Sequence, residues 1–199
     1  MKVSLLAAAV LCALTSGAAM AQQSEGKWLV RARAVDLLSA NGDSTPLGLS
    51  IDNKWIPEVD VSYFFTKNVA AELVLTVPQQ HTLTSSAAGG SIGTLKHLPP
   101  TLLLQYHFDA PGYKPYVGAG VNFTSFSDVD LTVAGADINR TSWGGALQVG
   151  VDIPLSKTMY LNFDVKKVYI ATDVTLNGSK LGTFSVDPLL VGAGVGWRF

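Results

Sequence analysis

The closing stretch of the chain, Leu189 to Phe199, alternates without a break. Leu189, Val191, Ala193, Val195, Trp197 and Phe199 are apolar, while Gly192, Gly194, Gly196 and Arg198 between them are small or charged. Successive side chains of a strand point to opposite faces, so this segment has one face suited to hydrocarbon and one suited to a crowded or wet interior. The same pattern recurs seven times upstream. Trp28 to Val35 sets Trp28, Val30, Ala32 and Ala34 against Arg31 and Arg33, and Trp55 to Thr66 sets Val59, Val61, Tyr63 and Phe65 against Glu58, Asp60 and Ser62. Further strands are expected at Val69 to Val77, Leu98 to Phe108, Pro115 to Phe126, Trp143 to Ile153 and Met159 to Ile170. The connections alternate long and short, the long ones being Asp36 to Lys54, Pro78 to His97, Ser127 to Arg140 and Ala171 to Thr183.

Alternating strands of this length, joined by alternating short and long connections, predict an all-β fold: an eight-stranded, antiparallel, up-and-down transmembrane β-barrel. Because the first connection is long, both termini are expected on the periplasmic side. Aromatics fall into two bands, as interfacial girdles do. Trp28, Tyr63, Phe65, Tyr106, Phe108, Trp197 and Phe199 lie near the short-turn ends, and Trp55, Phe123, Trp143 and Tyr169 near the long-loop ends. A soluble barrel would carry its apolar face inside. Here the charges share faces with Gly, Ala and Ser.

Composition agrees. Mean hydropathy is +0.29, yet after the first residues no run of about 18 apolar residues exists to make a spanning helix. The N-terminus, with Lys2, the apolar run Val3 to Leu14 and the small-x-small site Ala19-Met20-Ala21, reads as a secretory signal peptide over residues 1–21. Cleavage is expected before Gln22, leaving 22–199 as one barrel domain. The one cysteine, Cys12, lies in that leader, so no disulfide framework is expected. Thirteen basic and fifteen acidic residues remain beyond the leader, with no basic stripe to hold nucleic acid.

Several segments resemble the OmpW family of Gram-negative outer-membrane proteins: His97-Leu98-Pro99-Pro100-Thr101-Leu102, Lys114 to Thr124, Trp143 to Asp152, Asp164-Val165-Lys166-Lys167, Asp187-Pro188, Asn68 to Leu73, and the closing Gly196-Trp197-Arg198-Phe199. The resemblance implies an eight-stranded barrel that takes up small hydrophobic compounds across the outer membrane, with lateral release into the bilayer. The alternative is a closed structural barrel whose outer loops bind surface partners. Expected partners are outer-membrane lipid, small hydrophobic molecules, and the barrel-assembly machinery through the terminal strand ending at Phe199; the barrel is expected to be a monomer.

Sorting inward residues by height gives three candidate regions. Arg31, Arg33, Glu58, Asp60, Glu72, Asp152, Asp164, Lys166 and Arg198 are expected to pair into a charged plug, because an unpaired charge in a narrow barrel is costly. Ile56, Val74, Thr76, Thr101, Leu103 and Leu190 above it have the composition of a small apolar pocket. Pro78, Pro99 and Pro100 lie at the outer end of one strand pair. Proline donates nothing to a ladder, so these three mark a candidate lateral exit. Enzyme chemistry is not expected. His81, His97 and His107 are read as scattered, and a hydrolase reading would rest on His81 with Ser85 or Ser86 in a loop that does little to fix them. No cofactor or metal is expected; Asp128 and Asp130 are taken as a solvated loop.

Overall fold

The computed structural model describes residues 26–199; the leader, its cleavage site and Cys12 lie outside them. Eight strands close into a ring by antiparallel pairing: β1 (Trp28–Leu38), β4 (Lys54–Phe64), β5 (Val69–Thr76), β8 (Thr101–His107), β9 (Lys114–Leu131), β11 (Thr141–Pro154), β12 (Met159–Val168) and β15 (Leu189–Arg198), which returns to β1. At the short-turn rim the Trp28 and Phe199 backbones exchange hydrogen bonds of 3.0 and 2.9 Å. The barrel is therefore closed down to its last residue.

The alternation sets the faces. On β1, Arg31, Arg33, Val35 and Leu37 are buried, while Trp28 and the small Ala32 and Ala34 face out. Outward Leu102, Leu104, Val121, Leu147 and Val149 are each about half exposed, which gives the wall a continuous apolar outer band. That band is bounded by aromatics at both ends. Trp28 packs on Tyr63 and Tyr63 on Phe65 at the lower rim, and Phe123 packs on Trp143 at the upper rim with ring centroids 4.9 Å apart. Trp55 and Trp143 are 69% and 74% exposed. A soluble protein would bury such rings; here they mark the edges of the lipid-facing band.

The four long connections are not irregular loops, as the sequence pattern suggested. Pro78 to His97 folds into a hairpin of β6 (Gln79–Ser85) and β7 (Gly90–Leu98), and β8 begins only at Thr101, not at Leu98. Strand β9 continues five residues past Phe126 to Leu131 and carries β7 on its upper edge. β3 (Leu49–Ile51) pairs with β6. A second sheet gathers β2 (Gly42–Asp43), β10 (Ala136–Ile138), β13 (Ala171–Leu176) and β14 (Ser179–Ser185). Ser, Thr and Gly between scattered aliphatics had read as loop, yet these segments pack inward through Leu49, Leu83, Ile92, Leu95, Ile138, Val174 and Phe184. Together they form a cap over the barrel mouth. One apolar cluster joins that cap to Leu37, Ile56, Val74, Leu103 and Leu190 in the upper barrel.

Glycines inside the ring make room for the large inward groups of neighbouring strands. Gly194 pairs with Arg33 on one side and Asn162 on the other, and a Cβ there would stand 2.0 Å from the Ala32 carbonyl oxygen. Gly194→Ala is expected to lower stability by about 1–3 kcal/mol through overpacking. Gly90→Ala, where nothing lies within 4 Å, should leave stability unchanged. Urea unfolding of both variants in lipid vesicles, followed by tryptophan fluorescence, checks the difference.

Candidate functional site: the plugged lumen and the broken wall

The lower lumen is filled by charge. Arg31 grips Asp152 with two bonds, at 3.1 and 2.6 Å, and reaches Asp60 at 3.1 Å. Arg33, two residues on and on the same face, meets Glu58 at 2.9 Å and Glu72 at 3.2 Å, and also contacts Asp60. Lys166 bridges Glu58 at 2.8 Å and Asp164 at 2.5 Å. Five carboxylates thus face three cations, and neutral donors serve the remaining oxygens. Tyr116 donates to Asp164 (2.9 Å), Gln148 to Glu72 (2.9 Å) and Asn162 to Asp152 (2.9 Å). Seven of the eight ring strands contribute inward polar groups at this height, while β15 supplies glycines that leave them room, which is why the network crosses the lumen rather than lining it. Such a network tolerates no orphan, since removing one member strands its partners in a dry interior.

Arg198 stands apart from that network. It lies over the Phe64 ring at 3.7 Å and donates to the Gly26 carbonyl at 2.7 Å, so it braces the lower rim. His107 is also low, bonded to Gln105 at 3.0 Å and stacked on Tyr116.

Above the plug the lumen turns apolar. A cavity of about 20 Å³ is lined by Ile56, Val74, Thr76, Thr101 and Leu190, together with His97, Pro99 and Lys166. Leu103 is buried in the same core but does not line it. Higher, inside the cap, a second cavity of about 50 Å³ is walled by eleven aliphatic residues, among them Leu47, Leu83, Ile92 and Val174. Sequence reasoning missed this upper chamber because its walls come from segments read as loops.

The three prolines sit at a gap in the wall. The β5–β8 ladder runs from Val69↔Tyr106 to Val74↔Thr101 and stops. Pairing resumes only at Gln79↔His97, between β6 and β7. Leu75 to Pro78 therefore face Leu98 to Pro100 without ladder bonds. Side chains close the broken edge instead. The Asn122 amide donates to the Pro99 and Pro100 carbonyls (both 3.2 Å), and Gln79 donates to the Val77 carbonyl at 2.9 Å. On the other side Phe123 N–H still reaches the Pro100 carbonyl at 3.1 Å, so only the β5 side is open. Thr76 and Pro99 line both the gap and the upper-lumen cavity.

His81 and His97, read from sequence as scattered, lie ring to ring with centroids 4.6 Å apart at the base of the cap hairpin. Cross-strand pairing of β6 with β7 makes the contact, with Gln79 opposite His97 and His81 opposite Leu95, in a hairpin that carries no alternating pattern in the sequence. The Ser85 hydroxyl donates to the Leu47 carbonyl at 2.6 Å, and Asp128 pairs with Lys96 at 2.7 Å. Burial pushes both imidazoles below their ordinary range, His97 to about 3, with Lys54 lowering each further; the Asp52 carboxylate opposes the shift at His81.

Two outcomes are expected. Arg33→Met, which strands Glu58, Asp60 and Glu72, should cost about 3–5 kcal/mol in the urea midpoint of the lipid-inserted chain. The imidazoles bind protons more readily unfolded than folded, so their contribution is complete above the ordinary value of about 6.5 and is lost as pH falls from there toward 3. Amide exchange in β6 and β7, corrected for intrinsic rate, should therefore quicken between pH 7 and pH 5, and His97→Phe should flatten that dependence.

The sequence model of the OmpW family matches residues 22–199. Outer membrane protein W of Escherichia coli (strain K12) is 33% identical over the whole length of both chains. The dibenzothiophene metabolism operon protein PahQ of Pseudomonas aeruginosa is 27% identical over 83% of this chain and 75% of its own. The crystal structure of outer membrane protein OprG from Pseudomonas aeruginosa superposes with a TM-score of 0.76 at 26% identity, covering 87% of this chain and 96% of that one. The closed ring, its apolar outer band and this full-length match place the chain in the OmpW family of bacterial outer-membrane β-barrels.

Proposed function

We propose that this barrel passes small apolar molecules from the outside into the membrane, entering through the cap and leaving sideways at the proline gap. The observation that carries the reading is the position of the plug relative to the gap. The ion network blocks the lumen below, while Thr76 and Pro99 put the apolar upper lumen beside a stretch of wall without ladder bonds. An apolar solute gains nothing from the charged floor and much from the lipid beyond the gap, since its transfer to hydrocarbon is favourable in proportion to area. The aliphatic cap chamber supplies an entry of the same chemistry. The name of PahQ, which ties that relative to dibenzothiophene metabolism, points to the same class of solute. In this reading residues 1–21 are the export signal and the strand ending at Phe199 is what the assembly machinery engages.

The test is uptake of n-octane by vesicles carrying the protein. Replacing Pro99 and Pro100 together by Val and Thr, residues that can join the β5 ladder, should bring uptake down to that of protein-free vesicles while the urea midpoint stays level or rises. Undiminished uptake by the double variant would remove the sideways exit.

A further inference from the structure

Among the described residues lining the upper-lumen cavity, His97 is the polar residue whose side chain has no hydrogen-bond partner; Nε2 of the adjacent His81, outside that lining, is unpartnered too. Of the polar residues lining the cavity, Lys166 and Glu58 hold each other. Thr76 donates to the Pro57 carbonyl at 2.7 Å. Thr101 donates to Pro99 and accepts from Asn122 at 2.9 Å. His97 is fully buried, lines the cavity, and neither ring nitrogen meets a hydrogen-bonding group. Its neighbours are rings: His81 at 4.6 Å, with its own Nδ1 turned to the Asp52 carbonyl at 3.1 Å, and Phe126 edge-on at 6.4 Å. A neutral imidazole offers one donor and one acceptor, and buried polar groups are ordinarily satisfied.

We propose that the preferred guest of this site is a small neutral amphiphile, a hydrocarbon carrying one hydroxyl, with its head against His97 and its tail lying through the proline gap into the bilayer. The inference rests on the gap being open to a guest, as in the proposed function. Size favours this arrangement. At about 20 Å³, the cavity accommodates a group the size of a water molecule and no more, so a head fits and a tail must leave. An adjacent way out without ladder bonds lies between Thr76 and Pro99, toward the exposed Val77. Charge selects a neutral head. A carboxylate would meet Glu58 on the same wall, and Lys166 is already held between Glu58 and Asp164. A hydroxyl can donate to the imidazole or accept from it, whereas an ether can only accept.

The experiment uses the full chain in lipid nanodiscs with ¹⁵N-labelled histidine, titrated with 1-octanol, 1-methoxyheptane, sodium octanoate and octane at matched mole fractions in the bilayer. 1-Octanol is expected to shift the His97 ring nitrogens and to bind about five- to tenfold more tightly than octane, the worth of one net hydrogen bond. Octanoate should bind more weakly than 1-octanol, and the ether should fall between alcohol and alkane. His97→Leu and His97→Phe should abolish the preference for the alcohol while octane still binds, and His97→Gln, which keeps a donor and an acceptor, should restore part of it. Unmoved His97 nitrogens, or the same alcohol-to-alkane ratio in wild type and whichever deletion variant inserts, would overturn the proposal. If octane still crosses in that case, the sideways route stands without it; if no solute binds or crosses, both fall.

Discussion

The rest of the structure depends on a rule of the hydrocarbon phase: inside it every backbone N–H and C=O needs a partner within the protein. The ring from β1 round to β15 meets that demand by closing on itself, down to the paired Trp28 and Phe199 backbones. Once closure is imposed, the faces follow. With eight strands the interior is only wide enough for side chains or one small ligand, so whatever points inward must interlock. The outward band has only to be apolar and smooth.

The same rule explains why the proline gap is a constructed feature and not a flaw. Unpaired carbonyls at the edge of a bilayer would be expensive. The carbonyls of Val77, Pro99 and Pro100 are instead taken by the amides of Gln79 and Asn122. Proline removes the donors that would zip the wall, and the amide side chains answer the acceptors left behind. The wall is thereby interrupted on the β5 side while β9 stays paired with both β8 and β7. Below, the Arg31, Arg33 and Lys166 network keeps the floor shut. An apolar upper lumen thus lies over a charged floor and beside a break in the ladder.

The spanning strands were legible because each alternates with period two and the inward set is chemically distinct from the outward one. Arg31 with Arg33, and Glu58 with Asp60, fix the parity of their strands unambiguously. The plug was legible for the same reason, since charges of both signs at one height must pair. The cap was not. Residues such as Thr82, Thr84, Ser91 and Thr94 carry no apolar outer face, because they stand clear of lipid. Their strand character is fixed by pairing with distant segments and by Leu83, Ile92 and Leu95 packing against the second sheet. The His81–His97 contact depended on that hairpin and was hidden with it. Parity gives direction but not height: Arg198, at the rim, lies over the Phe64 ring and donates to the Gly26 carbonyl.

Strand β9 runs for 18 residues, from Lys114 at the lower rim to Leu131 in the cap, with a bulge near Asp128, whose φ is +44°. On one edge it holds β8 and then β7, so both flanks of the Pro99–Pro100 step hang from a single strand. Cap and seam are thereby built on one continuous backbone, whereas β5 on the far side is tied to β4.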